Sequence, residues 1–446
     1  MITLDDARPA GFAVPVDHGD SGSYRSKAVN VPDAPPRLAV QVLEISLYAC
    51  ILSSFLTIIQ PAPFEGFAAI VGFACLIARV RVDVKIMPMV FLLFVLQVGG
   101  VASLAPVIGD KDAEMFVIIS IYLAITGVIF AVVMTEDTAR RFRIIRSAYI
   151  GAAVIAAILG MLGYFKAFPG SDVFLMNDRA VSTFKDPNIT GPFYIPPLLY
   201  LITVFVTDRV RPHHLVASLI IAIGLLLAFS RAAWGQFVFA TLLTLTLLFI
   251  TRTGWRARQR LVVMTLLAVA AVFAMLMVLF SIESVREMIL QRATLFQSYD
   301  TGTEGSRFNI QQRSIEMALE HPNGMGPWVF ARYFGLVSHN SYLGVFLNHG
   351  WIGGISYIAL TVLTLAVGFR SVFVPTPWRD AMIATYAAYV GLALESFIVD
   401  TDHWREYYLL VGMVWGMFAA TVNYARLQGE RTQPELEVSD DRLAYR

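Results

Sequence analysis

Residues 215–250 read LVASLIIAIGLLLAFSRAAWGQFVFATLLTLTLLFI, and Arg231 is the only charged side chain among them. As one α-helix rising about 1.5 Å per residue, this run would be about 54 Å long, whereas about 20 residues cross the hydrocarbon core of a bilayer. Ser230 and Arg231, followed by Gly235 and Gln236, therefore mark where the chain doubles back. A guanidinium in so apolar a stretch is expensive unless it reaches a partner or water. Snorkelling at the tip of a helical hairpin and binding of an anionic ligand are both open to Arg231.

The same pattern recurs almost from end to end. Apolar windows at 38–58, 63–79, 86–107, 115–134, 148–168, 189–207, 213–229, 233–251, 261–281, 341–369, 381–399 and 406–425 predict an all-α, polytopic membrane bundle of about twelve transmembrane helices. A composition that is 57% hydrophobic and 15% charged excludes a soluble multidomain protein, and a net charge of +1 gives no reason for a nucleic-acid partner. Cys50 and Cys75 lie inside apolar runs and read as small buried hydrophobes, not as a disulfide or a metal site. Residues 1–37 are polar, rich in Pro, Asp, Ser and Gly, and read as a disordered cytoplasmic tail without a signal peptide. Spans one to nine then occupy 38–281, a loop fills 282–340, spans ten to twelve occupy 341–425, and 426–446 form a second cytoplasmic tail.

Orientation follows from the basic residues of the short loops, which resist translocation. One set holds Arg79, Arg81 and Lys85; Arg140, Arg141, Arg143 and Arg146; Arg209 and Arg211; Arg252, Arg256, Arg258 and Arg260; and Arg370 and Arg379. The opposite short loops carry little more than Lys111 and Arg405. Both termini are thus expected in the cytoplasm. Loops 169–188 and 282–340, the Ser230–Arg231 turn and the turn from Asp400 to Arg405 then all fall on the outer side.

Those outer segments hold the unusual polar residues. Ile282 to Phe296 repeats apolar residues at three- and four-residue spacing, the pattern of a helix lying on the membrane, and a second helix is expected from Ser306 as N-cap to His321-Pro322-Asn323-Gly324. Together they would make a helical cap between spans nine and ten. Arg307 falls in the first turn of the second helix, where free N–H groups favour anions; its other reading is snorkelling or pairing with Glu304. Asn188, in Asp186-Pro187-Asn188, either caps the next helix or contacts substrate, and Arg179 has a similar balance. Gly324 and Gly326 read as turn glycines. Asp400, Asp402, His403 and Arg405 crowd one short turn, where salt pairing is the stronger reading and a divalent cation the weaker. His339, at the mouth of an apolar run, titrates near neutrality and is placed to take a proton from a hydroxyl; its alternative is an interfacial histidine that hydrogen-bonds its neighbours. His349, deeper in the same run, reads as structural, and His213 and His214 fall on the cytoplasmic side.

His339-Asn340, nine residues, Gly350, two residues and Gly353, within HNSYLGVFLNHGWIGG, resemble the motif of bacterial O-antigen ligases and the related O-antigen and exopolysaccharide polymerases. The resemblance extends over most of 180–425 and includes STFKDPN at 182–188, AFSRAAWGQ at 228–236, GSRFNIQQRSIEMALEHPNGMGP at 305–327 and the DTDHWR turn. The N-terminal tail departs from it in length and composition. The resemblance implies a glycosyltransferase of the bacterial inner membrane that moves a glycan from undecaprenyl diphosphate to an acceptor hydroxyl at the periplasmic face, with no metal or other cofactor. It implies His339 as the base and Arg231 and Arg307 as holders of the diphosphate, with Arg179, Asn188, Asn340, Asp400, His403 and Arg405 as further binding or supporting residues. The acceptor would be lipid A–core for a ligase, the slightly favoured reading. For a polymerase it would be a second lipid-linked glycan, with a chain-length regulator as partner. A transporter or lipid-linked glycan flippase is the rival class, against which stand the one-sided charges and the lack of a half-to-half repeat.

Overall fold

The computed structural model describes residues 37–59, 61–207, 210–292 and 306–443. The tail expected before Arg37, Arg209, and the loop positions Leu295, Phe296 and Glu304 lie outside the described residues. The described chain is an all-α membrane bundle. Its helices are α1 (Arg37–Leu52), α2 (Pro63–Ile77), α3 (Met87–Ala102), α4 (Lys111–Thr135), α5 (Thr138–Tyr164), α6 (Pro187–Phe193), α7 (Ile195–Thr207) and α8 (Pro212–Leu227). They continue with α9 (Arg231–Thr251), α10 (Trp255–Phe280), α11 (Glu283–Arg292), α12 (Arg307–Glu320), α13 (Val329–Phe334), α14 (Ser341–Val372), α15 (Arg379–Glu395) and α16 (Arg405–Leu443). A minimal hairpin of β1 (Leu175–Met176) and β2 (Arg179–Ala180) stands between α5 and α6.

Nine helical segments among the described residues are long and apolar enough to cross a membrane. The expected windows 63–79, 213–229 and 381–399 fall on the shorter helices α2, α8 and α15. Proline at the start of α2 and α8, where a missing N–H costs nothing, fixes their first turns. The 215–250 run does fold back: α8 ends at Leu227 and α9 begins at Arg231.

The interior is filled by aromatic and small side chains, with Tyr149, Tyr200, Tyr357, Tyr389 and Trp415 fully buried where α5, α7, α14, α15 and α16 meet. Both cysteines are buried free thiols. Burial is uneven around the bundle. The α6–α7 segment is 83% buried, but only 6% of α10 is. Along the stripe of α10 that faces its neighbours, Leu261 and Leu279 are buried at the two ends, while residues 266–274 are exposed. The helix is pinned top and bottom and stands clear between.

The single span expected at 341–369 is broken. Gly350 has φ +65° and ψ −173°, so α14 is two helices joined at that residue. The 321–327 loop fills the break: Met325 N donates to Leu347 O (2.8 Å) and Trp351 N donates to Pro322 O (2.8 Å). Backbone groups freed at membrane depth need such internal partners. A Cβ at Gly350 would lie 2.7 Å from the Asn323 carbonyl carbon, and one at Gly99 of α3 would lie 2.4 Å from His349 O. Glycine at those two places is therefore a packing requirement.

At one end of the bundle the basic connections are tied to acidic or amide partners. Arg252 pairs with Asp380 (2.6 Å), Lys85 donates to Asn423 (2.7 Å) and Arg81 N donates to Glu136 (3.2 Å). The connections before α3, α5, α10 and α15 thus share that end.

Candidate active site

The chain reverses between α8 and α9 through Phe229, whose φ of +47° is unusual for a non-glycine residue. Ser230 follows as N-cap, its Oγ accepting from Ala233 N (3.4 Å), and Arg231 opens α9. Side-chain bonds lock this turn to the segment before α6. Ser230 Oγ donates to Asn188 Oδ1 (2.9 Å), and Arg179 Nη2 donates to the same oxygen (3.1 Å). Arg179 Nε meanwhile donates to Ala228 O at 3.0 Å. The cap of α6 is Asp186, which accepts from Asn188 N at 2.7 Å; Asn188 itself does not cap, and is free to bridge Arg179 and Ser230. Arg231 and Arg179 thus lie around one helix N-terminus, where the unpaired N–H groups add positive potential.

A second turn is built the same way. His339 has φ +49°, and Asn340 caps α14 by accepting from Leu343 N (3.2 Å). Asp400, in the turn between α15 and α16, grips this turn: its Oδ1 accepts from Ser338 Oγ (3.1 Å) and Asn340 N (3.0 Å). Its Oδ2 stands 4.0 Å from His339 Nδ1, which leaves Nε2 directed elsewhere. Helix α12 closes over the turn. Gln311 Nε2 donates to His339 O (3.1 Å), one helical turn after Arg307. The cap of α12 is Ser306 by position, as expected, but its hydroxyl makes no capping bond.

Electrostatics join the two turns. Burial lowers the His339 imidazole from its ordinary range, the Arg307 guanidinium lowers it further, and the Asp186 carboxylate pulls the other way. The charges of Arg307 and Asp186 therefore both act on His339. Burial and the neighbouring Asp402 push Asp400 up to about 6, against the hydrogen bonds from Ser338, Asn340 N and His339 N. His339 keeps a third of its side chain exposed, enough for a ligand to approach. A neutral imidazole beside fixed guanidinium groups can accept a proton while an anion binds next to it.

His403 and Arg405 turn elsewhere. His403 Nδ1 pairs with Asp402 (2.9 Å), and its ring packs on Phe116 of α4 with centroids 3.8 Å apart. Burial works against the Asp402 carboxylate, yet the hydrogen bond and charge of His403, with His349 behind, hold it below the usual range. Arg405 pairs with Glu65 of α2 and lies over the Phe64 ring at 5.1 Å. The acidic pair of this turn is thus engaged with the His339 turn and with His403 rather than with Arg405. Among the described residues no group of three or more His, Cys, Asp and Glu side chains gathers as metal ligands would. Gln311 and Ser338 were not singled out by sequence reasoning, while Ser230 was read only as a turn marker and Asp186 only as the start of the Asp186-Pro187-Asn188 stretch. Of these, Gln311 had a signal: it sits four residues after Arg307, on the same face of a helix.

The fold and this constellation define a multi-pass membrane protein with arginines and a histidine gathered at one end of the bundle. Residues 216–358 match the family model described as O-antigen ligase. That portion is therefore similar to the O-antigen ligase and polymerase superfamily. The match takes in Arg231, Arg307, His339 and Asn340; Arg179, Asn188, Asp400, His403 and Arg405 lie outside it. A search of curated proteins gives no match.

Proposed function

We propose that this protein is an O-antigen ligase-like glycosyltransferase of the bacterial inner membrane. Both termini are cytoplasmic, and the site opens to the periplasm, opposite the basic connections. The donor is a glycan on undecaprenyl diphosphate and the acceptor a hydroxyl of lipid A–core. His339 takes the proton of that hydroxyl on Nε2 as the acceptor oxygen bonds to the anomeric carbon. The bond from that carbon to the diphosphate breaks, and the diphosphate leaves with the electron pair. Arg231 and Arg307 neutralise the charge that grows on it, in a poorly hydrated setting where fixed donors act strongly. Arg179 and Asn188 brace the Arg231 turn, while Asn340 and Asp400 hold the His339 turn. The observation that carries this reading is that α12, which bears Arg307 in its first turn, lies on the His339 turn, where Gln311 Nε2 donates to His339 O (3.1 Å).

The isoprenoid tail fits beside α10, whose exposed middle leaves room for a hydrocarbon chain and whose buried upper end packs with Leu227 and Phe229, next to Ser230 and Arg231. Transfer by purified protein in EDTA is the test. Lipid-linked glycan plus lipid A–core should give a joined product, and chain extension on the lipid carrier instead would make the protein a repeat-unit polymerase. Movement of lipid-linked glycan across vesicles with no product would point to a flippase and overturn the reading.

A further inference from the structure

Helix α12 carries Arg307 in its first turn, yet among the described residues nothing in that turn explains how the guanidinium is held at a fixed place relative to His339. The next turn does. Gln311 lies four residues on, so it shares the face of Arg307. Its amide nitrogen donates twice, to His339 O and to Phe397 O, each at 3.1 Å. Phe397 O belongs to the segment after α15 that leads into Asp400, and the adjoining Ser396 O accepts from Ser341 N (2.8 Å). One neutral amide therefore ties α12, the His339 turn and the Asp400 turn together. The far end of α12 is fixed independently, because Trp351 Nε1 donates to Ala318 O (2.7 Å) beside the break in α14. With that end anchored, Gln311 ties the first turns of α12 to the two turns of the site.

We propose that Gln311 is a positioning residue that sets Arg307 against His339, so that the leaving diphosphate and the acceptor hydroxyl are held on opposite sides of the anomeric carbon. This rests on the glycosyl-transfer reading above. Displacement in line needs both groups placed together, and a misplacement of about 1 Å can cost about 100-fold in rate. The side chain that does this is uncharged, so that among the described residues the charged groups acting on the imidazole are Arg307 from α12, Asp186 from the α6 entry and Asp400 from the α15–α16 turn.

The experiment compares transfer by wild type, Gln311→Met, Gln311→Lys and Gln311→Glu across a pH series, with thermal unfolding in detergent as the folding control. Methionine keeps the length but donates nothing. It should lower kcat about 10- to 100-fold with little change in donor KM. The acid limb of its profile should move up, because Arg307 no longer holds the imidazole down. Lysine still donates to both carbonyls, so Gln311→Lys should recover most of kcat with its acid limb at or below the wild-type position. Glutamate turns a carboxylate on two carbonyl oxygens and should be at least as slow as methionine. Wild-type rates and an unchanged profile in Gln311→Met overturn the proposal, as does a loss in Gln311→Met that lysine fails to recover. A wild-type protein without transfer activity would instead count against the proposed function. If Gln311→Met does not fold, the ordering of lysine above glutamate decides the matter.

Discussion

The turn that presents Arg231 and the turn that presents His339 share one construction: a non-glycine residue at positive φ, a hydrogen-bonding N-cap, and a helix leading away. They differ in where the chemical residue sits. Arg231 follows its cap and is the first residue of α9, so its charge adds to the helix's own positive end. His339 precedes its cap and itself takes the left-handed conformation, outside α14. There burial and then Arg307 lower the imidazole below its ordinary range. A two-residue shift relative to a cap thus separates the proposed anion holder from the proposed base. Backbone strain of this kind costs about 1–3 kcal/mol per residue and collects at functional sites.

If that division is right, substitutions on the two sides should fail differently. His339→Ala should lower the transfer rate about 100- to 10,000-fold, the range for loss of a general base, and added imidazole should restore part of it. Arg231→Ala and Arg307→Ala should each cost about 100- to 1,000-fold. The pH profile of Arg307→Gln sharpens the contrast. A base works deprotonated, so activity falls as pH drops through the His339 pKa, which burial and Arg307 hold below the ordinary 6.5. Without that guanidinium the pKa rises and the acid limb should move to higher pH, while Arg231→Gln should leave it closer to wild type. Gly350→Ala comes next: a side chain in its nearly glycine-only conformation should cost about 1–3 kcal/mol from the backbone alone, read as earlier thermal unfolding in detergent. Ser230→Ala should be mildest, about 1 kcal/mol for a lost cap, with a smaller drop in rate than Arg231→Ala.

Much of the fold was legible because bilayer thickness and helix rise leave so few solutions. The reversal followed from length and its place from Ser230 and Arg231, and each expected apolar window is helical, although 189–207 is divided between α6 and α7 and 341–369 is broken at Gly350. The break at Gly350 was not legible. The residues around it are as apolar as a continuous span, and its cause is the 321–327 loop, which is remote in sequence. At the site, Arg231, Arg307 and His339 stood out because ionisable groups are rare in this chain. Their partners did not: Asp186 took the capping role that sequence left open for Asn188, and Gln311 reads as one more polar residue on an amphipathic helix. His403 and Arg405 looked like site residues from crowding in one turn, but neighbouring helices supply Phe116 and Glu65 and draw them away.

The most direct test separates binding from proton transfer at this one end of the bundle. The affinity of purified protein for undecaprenyl diphosphate would be measured in the wild type and in Arg231→Ala, Arg307→Ala and His339→Ala. The account predicts that each arginine variant binds at least tenfold more weakly, whereas His339→Ala binds as wild type does and yet fails to transfer. Equal affinity in all four proteins would contradict it.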